Sequence, residues 1–434
     1  MPARHALLAV AALTLAACAS TPARDSAEAA EAAGGERVEA KAPVTILISI
    51  DGFRPDYLAR GVTPNLLRLA RGGVSATMRP AFPTKTFPNH QSVVTGLRPD
   101  RHGIIGNRME DASRPDEVFT LSSDDPFWWN GATPLWVDAE RGGQRTATMF
   151  WPGSNVAYGG ARTRRWPFVT SGGVRPSDWQ QFNGDVGDAG RVRAVVDWLR
   201  RPAATRPRFL TLYFETVDDA GHHHGPDAPE TTAAAAEADA RIGDLLAALE
   251  ELHQPANLVI TSDHGMAAVD LARAIPIEKV AAPADFRMVE SGPYASLVPT
   301  PGRERALEAA LLRPHPRMRC WRKAEVPARF RYGAHPRVPP YLCLADVGWQ
   351  ILDTREDNRA YRGQHGFDHQ APEMAALFIA HGPALRRGVT LPAFDNVEVY
   401  PLLARLAGVT PRPSDARGHV ADAALRPTRE GQAR

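Results

Sequence analysis

Four short segments of this chain combine aspartate and histidine in patterns that suit metal binding. Asp51-Gly52 follows an apolar run, Asp218-Asp-Ala-Gly-His222 sets a carboxylate four residues before an imidazole, Asp263-His264-Gly265 follows a second apolar run, and His365 lies in Gly363-Gln-His-Gly-Phe-Asp368. One strand-end aspartate is as ordinary as a cap or turn residue. The set is different, because Asp51, Asp218, His222, Asp263, His264 and His365 supply two groups of three mixed nitrogen and oxygen donors. Such a donor set suits a pair of zinc ions with open coordination positions. Two divalent ions about 4 Å apart stabilise the attacking and leaving oxygens of a displacement at phosphorus.

That chemistry needs a nucleophile, and Pro83-Thr-Lys-Thr-Phe-Pro-Asn-His90 offers two threonines. Thr86 precedes a helical stretch from Asn89 to Thr95. A hydroxyl at a helix N-terminus sits in a positive field, and a metal ion lowers its pKa toward the alkoxide. Thr86 is equally suited to capping that helix, and Thr84 competes with it by residue type.

The elements that must hold these groups read as alternating strands and helices. Val44–Ile50 is a continuous β-branched apolar run, as expected of a buried parallel strand, and similar runs are 145–150, 209–214, 257–262 and 375–380. Helical patterns cover 63–70, 191–200, 229–252 and 396–407, the last interrupted by Pro401. The expected fold class is α/β, a central mostly parallel sheet with helices on both faces. In such sheets ligands bind beyond the carboxyl ends of the strands, where these candidates lie. Residues 281–360, rich in Pro and Arg with weak periodicity, read as a smaller irregular insertion.

Composition narrows the partners. The chain has 434 residues, 44% hydrophobic and 23% charged, with a net charge of +2. It can bury a large core, and it has neither the cationic excess of a nucleic-acid binder nor an acidic tail. Three cysteines exclude a disulfide-dense scaffold. The apolar run 6–17 is too short for a permanent membrane span and reads as a signal-peptide core. Leu15-Ala16-Ala17-Cys18 is similar to a bacterial lipobox, which would make Cys18 a lipidated N-terminus; an ordinary signal peptide cleaved nearby is the other reading. The expected organisation is a signal peptide over 1–17, a flexible tether over 18–42, a catalytic domain over 43–415 and a tail over 416–434. The expected location is the bacterial cell envelope, periplasmic or outer-membrane. Ala19, in place of the Asp typical of inner-membrane retention, favours the outer membrane. Cys320 and Cys343 then form either one disulfide or two buried thiols.

Eight spaced motifs extend this pattern. They are Asp51-Gly-Phe-Arg54, Pro83–His90, His102-Gly-Ile-Ile-Gly-Asn-Arg108, Trp151-Pro-Gly-Ser154, Asp218–His222 with Gly225-Pro226, Ser262-Asp-His-Gly-Met266, Gly363–Asp368 and Asn396-Val-Glu-Val-Tyr400. Over about residues 43–415 the chain resembles the nucleotide pyrophosphatase/phosphodiesterase family of the alkaline phosphatase superfamily, in its single-domain bacterial form. The resemblance implies Thr86 as the nucleophile, bridging two Zn2+. One zinc would be held by Asp218, His222 and His365, the other by Asp51, Asp263 and His264. It implies that Asn107 binds a non-bridging phosphate oxygen together with a backbone N–H, and that Phe87 and Tyr213 sandwich a nucleobase. Helix-entry packing and a strand core are the alternative roles for those two rings. The family's Glu-Pro-Asp reads Glu215-Thr-Val-Asp218 here, which puts the pocket wall in doubt but leaves the Asp-x-x-x-His spacing intact.

The implied reaction is hydrolysis of a phosphodiester or pyrophosphate through a nucleotidyl-threonine, releasing a nucleoside 5′-monophosphate, by a monomer acting on small substrates. A choline-type phosphodiesterase remains the alternative within the family, since it needs only a different pocket. A phosphomonoesterase of the same superfamily would need an arginine on the phosphate, and a sulfatase a Cys or Ser where Thr84-Lys-Thr86 stands. A binding protein with a dead site would lack a ligand or the nucleophile, and none is missing.

Overall fold

The computed structural model describes residues 41–353 and 361–427. The expected signal peptide, most of the tether, residues 354–360 of the insertion and residues 428–434 of the tail lie outside the described residues. Among the described residues no helix is long and apolar enough to cross a membrane.

A mixed, mostly parallel sheet forms the centre. Its strands run in the order Val389–Thr390, Val74–Arg79, Ala376–His381, Ala256–Thr261, Val44–Ile50, Phe209–Phe214, Thr146–Met149 and Asp178–Gln180, with Phe394–Asp395 also pairing Val74–Arg79. The five expected apolar runs all form strands of this sheet within a residue or two of the expected bounds. Ala376–His381 is antiparallel to both its neighbours, so its chain enters at the edge where the parallel strands end. Val74–Arg79 reads VSATMR, half polar, and its alternating burial is not the apolar run that marks the central strands.

Alternation along each strand builds two cores. Leu47, Val259, Phe378 and Ala380 face one side, where Val93, Val94, Leu402 and Leu403 of helices 86–95 and 399–407 cover them. Ile46, Ile48, Leu212, Ile260 and Ile379 face the other, under Leu66, Leu69, Val195, Ile242 and Leu245 of helices 64–72, 188–199 and 229–251. Burial of this apolar surface, worth roughly 25 cal/mol per Å2, drives the layering.

Three expectations need correction. The described part of this segment, residues 281–353, is not irregular: strands Phe286–Glu290, Tyr294–Pro299, Tyr341–Ala345 and Met318–Arg322 form a four-stranded antiparallel sheet with a core of its own. Short strands joined by Pro-rich turns hide their two-residue period in a window scan. Cys320 and Cys343 oppose one another on neighbouring strands of this sheet and are joined by a disulfide. Residues 416–427 are not all tail, because helix His419–Ala424 buries Val420, Ala421 and Ala424 in the main core. Pro401 does not interrupt its helix. It occupies the first turn of Val399–Ala407, where its missing N–H has no intrahelical partner to lose.

Candidate active site

Sheet register delivers the acidic residues to one place. Ser49 pairs with Thr261 on one side and with Tyr213 on the other, so the three central strands end level. Asp51, Asp263 and the helix that starts at Thr216 therefore leave the same edge. That helix, Thr216–His224, carries Asp218 and His222 on one face, one turn apart. Gly52 adopts φ +67°, and a Cβ there would lie 3.0 Å from Asp218 Cα, so the turn after the first strand admits no side chain. His365 arrives on the loop before the antiparallel strand Ala376–His381.

The six candidate ligands converge. Donor atoms of Asp51, Asp263 and His264 lie within 4.8 Å of one another, as do those of Asp218, His264 and His365. His222 joins the second group, with Nε2 3.2 Å from Asp218 Oδ2. The His264 and His365 rings stack with centroids 3.6 Å apart.

Hydrogen bonding fixes which imidazole nitrogen faces the cluster. Nδ1 of His222 bonds the Gly363 carbonyl at 2.9 Å, Nδ1 of His264 the Gly265 carbonyl at 3.0 Å, and Nδ1 of His365 the Thr84 carbonyl at 2.9 Å. A carbonyl only accepts, so Nδ1 carries the hydrogen in all three and Nε2 presents a lone pair inward. Burial, reinforced by neighbouring histidines, lowers the His365 pKa well below its ordinary value. Burial also lowers that of His264. Burial works against charge on His222 too, but the Asp218 carboxylate outweighs it and raises that pKa.

The carboxylates test whether metal ions fit. Asp51 Oδ1, Asp218 Oδ1 and Asp263 Oδ2 are buried without a hydrogen-bond partner. Burial, with the neighbouring carboxylates, pushes the Asp51 pKa well up, and burial first and Asp218 second push that of Asp263 to about 8. Three buried carboxylate oxygens without donors, surrounded by imidazole lone pairs, form a set of acceptors only. Divalent cations satisfy such a set, so the residues fit metal ions.

Thr86 is the first residue of helix Thr86–Thr95, and its Oγ1 lies 3.3 Å from His264 Nε2. Its backbone is held by His90, whose Nδ1 bonds the Thr86 carbonyl at 2.8 Å while Nε2 accepts from Ser49 Oγ at 2.9 Å. Burial lowers the His90 pKa to about 3, so this strut is neutral. The competitor Thr84 is fully buried. Its hydroxyl donates to the Phe367 carbonyl at 3.0 Å and accepts from the Gly366 N–H at 2.9 Å. Thr84 thus ties the Thr86 loop to the His365 loop and is not poised for attack.

Asn107 stands beside this helix, its side-chain oxygen accepting from the Phe87 N–H at 3.0 Å. The side-chain NH2 is thereby turned away from Phe87 as a free donor. Glu290, from the insertion's sheet, supports both loops: it lies 3.8 Å from Lys85 Nζ, and the nearby Asn107 backbone N–H favours its ionised form. The sequence offered no signal for Glu290, because its partners lie far away along the chain.

A cavity of about 580 Å3 opens from Thr86 and Asp218 between aromatic walls that include Phe87, Phe150, Trp151 and Phe182. Among the described residues that line it, none is Lys or Arg. The expected partner of Phe87, Tyr213, also lines this cavity, but Phe182 presents more of its ring there. Tyr213 is only 8% exposed, and its hydroxyl donates to Asp51 Oδ2 at 2.7 Å. Its hydroxyl therefore orients a candidate ligand carboxylate, and its largely buried ring forms only a small part of the cavity wall. Phe182, missed in the sequence, is 54% exposed on the cavity wall, edge-on to Tyr213 and Phe150. It sits in a polar, glycine-rich stretch where no periodicity marks it.

The unusual Glu215-Thr-Val-Asp218 wall is intact. Glu215 is clamped by both Arg191 terminal nitrogens, Arg191 Nη1 also donates to the Tyr213 carbonyl at 2.9 Å, and Thr216 Oγ1 donates to Asp188 at 2.6 Å. His223 and His224 point elsewhere: the first bonds the Asp219 carbonyl from an exposed position, and the second is half exposed beside Glu230.

The family model for type I phosphodiesterase / nucleotide pyrophosphatase matches residues 45–368. The Xenopus laevis bis(5′-adenosyl)-triphosphatase enpp4 is 35% identical over 387 residues, covering 88% of this chain and 81% of that protein. Mouse ectonucleotide pyrophosphatase/phosphodiesterase family member 1 is 35% identical over 395 residues; the match covers 87% of this chain but only 42% of that longer protein. Among solved structures, human ectonucleotide pyrophosphatase/phosphodiesterase 5 superposes with a TM-score of 0.81 at 32% identity, covering 88% of this chain and 99% of that one. An inactive murine form of the same protein, in complex with AMP, superposes with a TM-score of 0.82 at 31% identity, covering 88% of this chain and 100% of that one.

Proposed function

The chain belongs to the type I phosphodiesterase / nucleotide pyrophosphatase family, and from that premise we propose that it hydrolyses nucleotide phosphodiester or pyrophosphate bonds and releases nucleoside 5′-monophosphates. The observation that carries this reading is the placement of Thr86 Oγ1, 3.3 Å from His264 Nε2 and at the mouth of an aromatic cavity without cationic side chains. A diester carries one negative charge fewer than a monoester and does not require an arginine on its phosphate.

Asp218, His222 and His365 would hold one zinc ion, and Asp51, Asp263 and His264 the other. When bound, the pair supplies Lewis acidity that lowers the pKa of the Thr86 hydroxyl and of water and offsets charge on the phosphoryl oxygens. The chain's own groups do the rest. Thr86 Oγ1 attacks phosphorus in line and forms a nucleotidyl-threonine while the leaving oxygen departs. The Asn107 side-chain NH2 and the Thr86 backbone N–H donate to a non-bridging oxygen, where charge accumulates. Water then attacks from the vacated side, restores Thr86 and frees the monophosphate. Phe87 and Phe182, both on the cavity wall, clamp the nucleobase. The murine complex with AMP, in a protein of the same fold, supports a nucleotide in this cavity.

A lipid on Cys18 and a cell-envelope location for a single-domain bacterial enzyme remain part of this reading, supported by Leu15-Ala16-Ala17-Cys18. A choline-type diester would need an anionic, aromatic cage. Glu215 at the cavity wall is already neutralised by Arg191, which favours a base over a quaternary ammonium.

The deciding experiment compares the zinc-loaded protein on p-nitrophenyl thymidine 5′-monophosphate and p-nitrophenyl phosphorylcholine. A large preference for the nucleotide is expected. Preference for the choline ester would keep Thr86 and the metals but overturn the base clamp.

A further inference from the structure

A second cavity, of about 530 Å3, lies at the seam between the core and the insertion. Four arginines line it: Arg79 and Arg98 from the core, Arg329 and Arg331 from the insertion. Their carboxylate partners are too few. Arg79 and Arg98 share one aspartate, Asp395, at 2.9 and 2.7 Å. Arg329 is matched by Asp368. Arg331 is exposed and, among the described residues, has no ion-pair partner. Two positive charges are therefore left over around one cavity.

Local structure shows the same imbalance. Arg98 is 8% exposed, and its Nη1 is buried without a hydrogen-bond partner, as is Nδ1 of His369 on the same wall. Burial lowers the Arg98 pKa, and the facing Arg331 lowers it further. Arg331 itself adopts φ 48°, a left-handed conformation that a long side chain rarely takes. An unanswered buried guanidinium nitrogen and facing like charges are costly, and an anion between them relieves both.

We propose that this cavity is a binding site for a phosphate-class oxyanion, either free phosphate or the phosphate of a monoester. Arg98 and Arg331 would supply the principal charge-assisted hydrogen bonds, and Arg79 and His369 would complete the wall. The site is separate from the metal-ligand cluster. Its walls at Pro80–Phe82 and at His369 and Gln370 continue into the loops that carry Thr86 and His365. The proposal does not depend on the reaction assigned to that cluster.

Crystals of the zinc-loaded protein, grown free of phosphate and sulfate and soaked with tungstate, test the site by anomalous scattering. A peak within hydrogen-bonding distance of Arg98 and Arg331 is expected in addition to any at the metal cluster. In solution, inorganic phosphate and AMP are titrated separately while the thermal midpoint of the zinc-loaded protein is followed, for wild type and Arg331→Ala. Arg331 is exposed and without an ion-pair partner among the described residues, so the variant should fold normally. Its midpoint should respond to phosphate at concentrations at least tenfold higher than in wild type. An equal loss for both ligands identifies free phosphate as sufficient, and a larger loss for AMP identifies the ester. Tungstate confined to the metal cluster, or identical titrations of wild type and Arg331→Ala, would overturn the proposal.

Discussion

At the carboxyl edge of the sheet, Asp51, Asp218 and Asp263 bury oxygens that have no donor. At the seam with the insertion, Arg98 buries a guanidinium nitrogen that has no acceptor. One region is a set of acceptors around a space for cations, the other a set of donors around a space for an anion. A third region shows the contrast. Lys85 and Glu290 are equally buried, but each faces the other at 3.8 Å, and the chain itself supplies the counter-charge. Buried polar atoms that no internal group answers mark a place for a ligand; a buried charge met by its counter-charge within the chain marks a structural strut.

The largest expected effect separates the two ligand regions. Thr86→Ala should reduce turnover by about three orders of magnitude or more while zinc content, read by metal analysis, stays at the wild-type level. Phosphate binding at the arginine cavity should be untouched. Near-normal turnover in Thr86→Ala would remove the covalent route.

The strut predicts a pH effect. Burial, partly offset by Lys85, raises the Glu290 pKa from 4.5 to about 7. Between those values the folded chain holds a proton that the unfolded chain has released, so this group makes stability fall as pH rises from 4.5 to about 7. The fall is at most ~3 kcal/mol and levels off above that range. Glu290→Gln should flatten this slope in denaturant titrations at pH 5, 6 and 7. An unchanged slope would show that Glu290 is ionised throughout.

Two aromatic substitutions divide the catalytic region itself. Tyr213→Phe removes the hydrogen bond to Asp51 and should weaken zinc binding roughly 10–100-fold in chelator competition, with little change in KM once zinc is saturating. Phe182→Ala should do the reverse. It should raise KM for a nucleotide ester roughly tenfold or more, the scale of one lost stacking contact, with zinc affinity unchanged. Exchange of these two outcomes would restore Tyr213 as the clamp.

The spacing of Asp218 and His222 was legible because four residues bring side chains together on any helix. The strand-end positions of Asp51 and Asp263 were legible because apolar β-branched runs announce buried strands. Thr86 was legible only as one of two threonines, and the competition was decided by burial: Thr84 spends its hydroxyl on the His365 loop. Phe182 and Tyr213 were not separable by residue type, since exposure of one ring and the hydrogen bond of the other depend on neighbours far along the chain.

Local pattern thus determined the α/β class, the central strands, the metal-ligand segments and the threonine motif, because each depends on residues within one turn or one strand. Tertiary structure decided the rest. It set the antiparallel entry of Ala376–His381 that delivers His365, the four-stranded order of the insertion, the meeting of Glu290 with Lys85 and the gathering of four arginines around one cavity. Those contacts join segments separated by long stretches of chain, and neither periodicity nor spacing records which distant side chains share a low-dielectric interior.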